Sequence, residues 1–201
     1  MHTSSLAHVE GLVHQYLSGS TQQALRIVDI GSYDVNGSYK RFFLHPSWTY
    51  IGVDLTEGPN VDVVLQSPYR LPFASHSVDV IVSGQAFEHV EFFWCSWLEM
   101  VRVLKPGGHI FLLAPSRGPE HRYPQDCWRF YPDGYRALAK YGALELLRVN
   151  TDWEPHPAED SAPWGDTVGV FRQPPMSALT RLRRRLMQQV RYRVMPGYRQ
   201  R

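Results

Sequence analysis

The stretch that decides the fold reads Val28-Asp29-Ile30-Gly31-Ser32-Tyr33-Asp34-Val35-Asn36-Gly37. It joins a short apolar run to a turn marked by glycines, a pattern typical of a cofactor site at the end of a buried strand. Gly31 lacks a Cβ and lets the backbone approach a ligand closely, and Gly37 tolerates a positive φ. The phosphate-binding pattern G-x-G-x-x-G is incomplete, because a tyrosine and an asparagine occupy its later glycine positions. Asp29 at the end of the run favours a cationic cofactor that carries an amino-acid group.

Length and cysteine content limit the class of protein. The 201 residues, 43% of them hydrophobic, predict one domain with a single core. The two cysteines, Cys95 and Cys127, form no C-x-x-C pair, so neither a disulfide framework nor a zinc module is indicated. No apolar run approaches the roughly 18 residues of a membrane span, and the N-terminus lacks a signal-peptide pattern. We expect a cytoplasmic protein.

Charge is distributed unevenly along the chain. Residues 176–201 contain eight arginines and no acidic residue, so residues 1–175 carry a net charge of −6. We expect a domain over residues 1–175 and a basic amphipathic helix or tail over residues 176–201. The apolar positions of this tail fall on one helical stripe: Leu179, Leu182, Leu186 and Val190. Such a helix binds an anionic membrane surface, or it packs on its own domain or on a second subunit.

Hydrophobic periodicity predicts an α/β fold with seven strands. Helical spacing covers residues 4–19, 92–104 and 133–141, and a short helical segment is expected at 40–44. The predicted strands lie at residues 26–30, 48–54, 61–65, 78–83, 109–114, 143–149 and 167–171. Strands that alternate with helices predict a parallel sheet.

Four blocks of sequence follow one another in a fixed order. They are residues 28–37, Gly52-Val53-Asp54, Leu71-Pro72-Phe73 with Val78-Asp79-Val80, and Glu88-His89-Val90 with Arg102-Val103-Leu104-Lys105-Pro106-Gly107-Gly108. Over residues 24–172 the chain resembles the class I S-adenosylmethionine-dependent methyltransferases, and the last block resembles their type 11-like branch. The resemblance implies a Rossmann-like, mostly parallel seven-stranded sheet with helices on both faces and the last strand antiparallel. It also implies S-adenosyl-L-methionine as the cofactor.

The same resemblance implies a set of cofactor contacts. The methionine amino group would lie at the end of the first strand, and Asp54 would accept hydrogen bonds from both ribose hydroxyls. Ser67 stands where this branch usually has an acid that holds the adenine amine. In chain order, the implied residues are Asp29, Gly31, Ser32, Gly37, Asp54, Leu55, Ser67, Gly84 and Gln85.

An alcohol acceptor must lose its proton during methyl transfer, and histidine is the natural base. The candidates are His89, after the fourth strand, and His121, in the loop after the fifth strand, with Asp126 beside them in the same loop. Each of them has an ordinary alternative role. His89 would be a structural residue at a helix start, and His121 would be an exposed loop histidine. Asp126 would form an internal ion pair with Arg129. The segment from Asp126 to Phe130 resembles a subgroup that acts in glycan and secondary-metabolite pathways.

We therefore predict an O-methyltransferase for a hydroxyl of a saccharide or other small metabolite. No cluster of oxygen ligands at fixed spacing appears, so no metal is predicted. One alternative is an inactive cofactor-fold module that regulates a partner, since later glycines are missing. Another is an RNA methyltransferase that uses the basic tail. Nucleic acid is disfavoured because the body is acidic and Ser83-Gly84-Gln85-Ala86 stands where an N-P-P-Y-like signature would follow the fourth strand.

Overall fold

The computed structural model describes residues 2–177 and, beyond them, Leu179, Thr180, Leu182, Leu186 and Val190. Its strands are β1 Leu25–Ile30, β2 Trp48–Asp54, β3 Val63–Val64, β4 Val78–Gly84, β5 Leu104–Pro115, β6 Glu145–Thr151 and β7 Asp166–Arg172. Its α-helices are α1 Thr3–Leu17, α2 Phe93–Val103 and α3 Pro132–Gly142. Short 3₁₀ helices span Ser18–Ser20, Tyr39–Phe43 and Phe87–His89.

The seven strands form one sheet in the order β3-β2-β1-β4-β5-β7-β6. All pairs among β1 to β5 are parallel, and β7 is antiparallel to both of its neighbours. The mostly parallel sheet with an antiparallel last strand is therefore confirmed. Strand β3 is shorter than predicted, because at the edge of the sheet it pairs only with the last two residues of β2. Strand β5 is longer, since the segment that ends α2 also forms its irregular beginning.

Helices cover both faces of the sheet, and α1, α2 and α3 lie where the sequence predicted helices. One face packs against α2 and α3 through large side chains that include Trp97, Phe130, Tyr135 and Phe171. The other face packs against α1 and the 3₁₀ helix Tyr39–Phe43 through Val9, Leu12, Tyr39, Phe43 and Phe111. The segment at residues 40–44 is a 3₁₀ turn that ends where Leu44 becomes extended. The connection between β1 and β2 thus contributes only a 3₁₀ helix to this face of the sheet, and α1 packs over the same face.

The N-terminal end of α1 is fixed to the carboxyl edge of the sheet. The Ser4 hydroxyl donates to Asp166 Oδ2 (3.1 Å), and Ser5 shares a hydrogen bond with the buried hydroxyl of Tyr39. The Thr3 amide donates to Asp160 Oδ2 (2.8 Å). These contacts tie the first turn of the chain to the residues that enter β7.

The described part of the tail is helical at Leu179, Leu182, Leu186 and Val190, and each of these four side chains is more than half exposed. The arginines that the sequence places around this stripe lie outside the described residues. Among the residues that the structure describes, no helix is long and apolar enough to cross a membrane.

Packing between β4 and the 3₁₀ helix Tyr39–Phe43 leaves no room for a side chain at Gly84. A Cβ there would lie 2.0 Å from the Tyr39 hydroxyl, which is fully buried and held by Ser5. We expect Gly84→Ala to lower the free energy of unfolding by about 1–3 kcal/mol through overpacking. Gly134 in α3 has open space around it, so Gly134→Ala should instead stabilise by about 0.5–1 kcal/mol. Urea unfolding followed by circular dichroism measures both, and equal effects would contradict the packing argument.

Candidate active site

The candidate site lies at the carboxyl edge of the sheet, where open α/β folds bind ligands. The ends of β1, β2 and β4 meet there, together with the loop after β5 and the beginning of β7. The polar residues at this edge divide into a group around β1 and β2 and a group around the loops after β4 and β5. The two groups differ in how well their buried carboxylates are paired.

Asp29 in β1 is fully buried. The hydroxyl of Tyr50 donates to its Oδ2, whereas its Oδ1 has no hydrogen-bond partner within the part of the chain that is described. Burial raises the pKa of Asp29 to about 7, against the opposing effect of the Tyr50 hydrogen bond. A cationic amino group at Oδ1 would supply the missing partner, so Asp29 fits the role that the resemblance implies.

The turn after β1 is held mainly by the sheet itself. The amides of Gly31 and Ser32 both donate to the Val53 carbonyl, at 3.0 and 3.2 Å. Gly31 has φ +83°, and a Cβ there would lie 2.6 Å from that of Ala86. The Gly37 amide donates to Asp34 Oδ1 (2.7 Å), which closes the turn. The amides of Gly31 and Ser32, two residues that the resemblance implies as cofactor contacts, therefore already have partners in this structure.

Asp54 ends β2 with a half-buried carboxylate. Its Oδ1 accepts from the Thr56 amide and its Oδ2 from the Tyr33 amide, each at 3.1 Å. Each oxygen keeps one lone pair for a further donor, as two ribose hydroxyls would require. Leu55 beside it is 48% exposed, while the Ser67 hydroxyl accepts from the Tyr69 amide (3.2 Å).

The loop after β4 begins with residues that stabilise the sheet edge. Gln85 adopts φ +57°, and its Nε2 donates to Asp166 Oδ1 (2.9 Å). Gly84 precedes it, and a Cβ on Gly84 would point at the Tyr39 side chain. Gln85 thus connects β4 to β7, and both residues lie beside the implied methionine position.

The loops after β4 and β5 bring Glu88, His89 and His121 together. Glu88 Oε1 lies 3.6 Å from His89 Nε2 and 3.9 Å from His121 Nε2, and the two imidazole centres are 4.8 Å apart. The Glu88 side chain is fully buried, and neither carboxylate oxygen makes a hydrogen bond to any other residue that the structure describes. Burial raises the pKa of Glu88 to about 8 and lowers that of His89. The structure therefore brings both predicted histidines to one buried carboxylate.

Sequence reasoning missed the importance of Glu88. It appears in the sequence only as part of a family block before His89, and an acid at a helix start is ordinarily exposed. Its burial depends on the loop after β5, because the amides of Cys127 and Trp128 donate to the Glu88 carbonyl at 2.7 and 3.2 Å. Glu88 is therefore recognised only from tertiary contacts, which the sequence does not show.

Asp126 and Arg129 form the internal pair that was the alternative to a catalytic role. Arg129 Nη1 donates to Asp126 Oδ1 (2.5 Å) and Nη2 to Oδ2 (2.8 Å). This guanidinium holds the pKa of Asp126 well below its usual range. Asp126 Oδ2 also accepts from the His121 amide (2.8 Å) and lies 3.3 Å from His121 Nδ1, without the alignment of a hydrogen bond. Asp126 is therefore placed to position the His121 segment.

Aromatic side chains border the histidines. The Trp164 ring lies 4.6 Å from His121 and is stacked on His2 of α1 at 6.3 Å. Tyr123, which is 66% exposed, lies 6.1 Å from His89 and 6.3 Å from His121. Phe130, by contrast, is a core residue, and Trp153 is stacked on Tyr131. The rim is thus apolar beside a charged and histidine-rich floor.

Comparison with known proteins identifies the chain's relatives. A family described as Methyltransferase domain matches residues 28–112. A protein named Uncharacterized methyltransferase from Mycobacterium leprae (strain Br4923) is 30% identical over 164 residues, which are 72% of this chain and 58% of that protein. A protein of the same name from Mycolicibacterium vanbaalenii is 34% identical over 174 residues, 77% of this chain and 66% of that protein. The chain thus spans between about half and two thirds of these relatives' length.

A solved structure has the same fold at lower sequence identity. It is the 1,6-didemethyltoxoflavin-N1-methyltransferase of Burkholderia thailandensis with bound 1,6-didemethyltoxoflavin and S-adenosylhomocysteine. It is 15% identical, with a TM-score of 0.65, and the match covers 85% of this chain and 79% of that chain. At this identity the likeness supports the fold.

The bidentate Arg129–Asp126 pair should hold the loop between β5 and α3. Lysine cannot reproduce two parallel hydrogen bonds. Arg129→Lys should therefore lower the free energy of opening of this loop by about 1.5–3 kcal/mol, which makes amide hydrogen exchange faster on the order of 10- to 100-fold. Arg122→Lys is the matched control, because the Arg122–Glu120 pair in the same loop is mostly exposed. Exchange at residues 117–130, read by mass spectrometry, should change only in the first variant. Equal exchange in both would contradict this role.

Proposed function

The chain belongs to the class I S-adenosylmethionine-dependent methyltransferases, and from that premise we propose that it methylates a hydroxyl group of a sugar-like or other small metabolite. The observation that carries the choice of a hydroxyl is the pair of histidines beside Glu88 at the carboxyl edge of the sheet. An alcohol needs a group that removes its proton, and these imidazoles stand where an acceptor in this fold would bind.

The cofactor of this family, S-adenosyl-L-methionine, fits the residues around β1 and β2. The unpaired Oδ1 of Asp29 is a buried acceptor that suits the methionine ammonium, and both Asp54 oxygens retain a lone pair for ribose hydroxyls. The cofactor supplies a methyl group on a sulfonium, which reacts by in-line displacement. The protein must accordingly position the acceptor oxygen and exclude water.

The hydrogen bonds of the histidines favour proton acceptance at Nε2. A carbonyl oxygen only accepts, so His89 Nδ1 must donate to the Gln125 carbonyl (2.6 Å), which leaves the lone pair of neutral His89 on Nε2. His121 is fixed through its backbone by Asp126. We assign His89 and His121 as the groups that receive the acceptor proton and Asp126 as a positioning residue.

The rim of the site supports a small hydroxylated acceptor. Trp164 and Tyr123 offer aromatic faces, while His89 and His121 offer imidazole groups for hydrogen bonds. A sugar ring presents apolar C–H faces and hydroxyl edges, so it matches both kinds of surface. The cytoplasm is the location that we propose, and the two free cysteines, Cys95 and Cys127, agree with a reducing compartment.

We also propose that residues 1–175 form the methyltransferase domain and that residues 176–201 form a basic amphipathic helix or tail. The four exposed apolar side chains of the tail support a contact with a membrane surface or a second subunit.

An inactive cofactor-fold module is the second candidate, and one observation favours it. The amides of Gly31 and Ser32 donate to the Val53 carbonyl, and the Tyr33 amide donates to Asp54 Oδ2, so some of the groups expected to contact the cofactor already have hydrogen-bond partners. Such a module would regulate a partner without transferring a methyl group. Cofactor binding separates the two candidates.

We expect the protein to bind S-adenosylmethionine in calorimetric titration and Asp54→Ala to weaken that binding by roughly 1–3 kcal/mol, because two ribose hydroxyls lose their acceptor. Glu57→Ala is the matched control, since Glu57 is an exposed acid in the same connection. Unchanged affinity in Asp54→Ala would show that the ribose lies elsewhere. No saturable binding by the unmodified chain would support the inactive module.

A screen with methyl-labelled S-adenosylmethionine over saccharides, phenols, amines and carboxylates tests the acceptor class. We expect label on a hydroxylated compound, detected by mass spectrometry and placed on oxygen by fragmentation, because the histidine pair serves proton removal from an alcohol. Label only on an amine or carbon acceptor would overturn O-methylation while leaving the enzyme assignment intact. Transfer to RNA that depends on the tail would instead support the RNA alternative.

A further inference from the structure

We propose that Glu88, His89 and His121 bind a divalent transition-metal ion of the zinc class. Two imidazole nitrogens and one carboxylate are a ligand set that such ions use in catalytic sites, with a further position left open. The sequence alone predicted no metal, because these ligands come from two loops separated by more than 30 residues. The loops after β4 and β5 bring them together.

The distances fit a shared ion. One atom from each of the three side chains lies within 4.8 Å of the others, and Glu88 Oε1 is 3.6 and 3.9 Å from the two Nε2 atoms. Two ligands about 2.1 Å from an ion at a tetrahedral angle stand about 3.4 Å apart. The two distances from Glu88 Oε1 exceed this value by a few tenths of an ångström, which small side-chain rotations close.

The outer contacts of His89 orient it as metal ligands usually are. A ligating histidine donates its other ring N–H to a carbonyl or carboxylate, which aims the free nitrogen at the ion. His89 Nδ1 donates to the Gln125 carbonyl, and Gln125 Nε2 donates back to the His89 carbonyl (3.0 Å). On the other side, His121 Nδ1 faces Asp126 Oδ2 at 3.3 Å.

Glu88 supplies an independent indication of a cation. It is fully buried, and neither of its carboxylate oxygens accepts a hydrogen bond from another residue in the described range 2–177. A buried carboxylate without a partner is costly, and an ion held between two imidazoles would remove that cost. Of the other charges that act on Glu88, Asp126 and Arg129 are paired with each other, whereas Asp166 adds a further negative charge.

The ligand chemistry selects the class of ion. Two imidazoles favour zinc, cobalt, nickel or iron over magnesium, which prefers oxygen ligands. Three protein ligands leave a position toward the aromatic rim, where an acceptor oxygen could coordinate and become more acidic. Only this last use rests on the proposed function, since ion binding itself needs neither cofactor nor acceptor.

The test titrates the full chain, freed of metal by chelation, with Co²⁺ as a spectroscopic probe and Zn²⁺ as its competitor. We expect a single ion per chain, visible absorption bands of a low-coordinate Co²⁺ site, displacement by Zn²⁺ and no effect of Mg²⁺. Glu88→Gln and His121→Ala should weaken Co²⁺ binding by about 100-fold or more, whereas His14→Ala in α1, an exposed histidine, should not.

Thermal unfolding, measured with and without the ion, provides a second readout in case a substitution impairs folding. The ion should raise the Tm of the unmodified protein and of His14→Ala, and it should leave the Tm of the nearly isosteric Glu88→Gln unchanged. No saturable Co²⁺ binding, binding that survives in Glu88→Gln, or equal binding of Mg²⁺ would overturn the proposal. Because no methyl donor is present, such a result would leave the proposed methyl transfer untouched.

Discussion

The burial of three carboxylates along one edge of the sheet is the constraint on which much of this structure depends. Asp29, Glu88 and Asp166 are all buried at the carboxyl edge, where each would cost free energy without hydrogen bonds or a countercharge. Asp166 is fully paired, through Gln85 and Ser4. Asp29 has one oxygen paired by Tyr50, and Glu88 has neither paired among the described residues. The carboxylate oxygens that lack a hydrogen-bond partner thus belong to Asp29 and Glu88, the two residues that lie where a cofactor and an acceptor would bind.

The pairing of Asp166 explains why the first residues of the chain lie over the site. Ser4 donates to this carboxylate, and His2 lies 3.6 Å from it and stacks on Trp164. Trp164 in turn contacts His121. Helix α1 therefore covers the sheet and also supports one wall of the candidate site. The connection between β1 and β2 contains only the 3₁₀ helix Tyr39–Phe43, and α1 covers the same face of the sheet beside it.

The sequence predicted the parts of the fold that depend on local periodicity. Six strands lie within a few residues of the structure, since buried parallel strands are apolar runs bounded by turns. The sequence predicted a short helical segment at residues 40–44, but helical spacing does not reveal that it is a 3₁₀ helix whose Tyr39 is buried against Gly84. Both histidines were identified, yet Glu88 was not. Its burial depends on hydrogen bonds from Cys127 and Trp128, about 40 residues away.

The proton-accepting and metal-binding roles compete for the same lone pairs, because neutral His89 exposes only Nε2 toward Glu88. Without an ion, an imidazole there would accept the acceptor's proton directly, as proposed. With an ion, the same nitrogen is a ligand, and coordination would lower the pKa of the hydroxyl instead. Glu88 distinguishes the two cases physically. A base at His89 or His121 does not require a fully buried, unpaired carboxylate, whereas an ion between the imidazoles gives that carboxylate its partner, so its burial favours the ion.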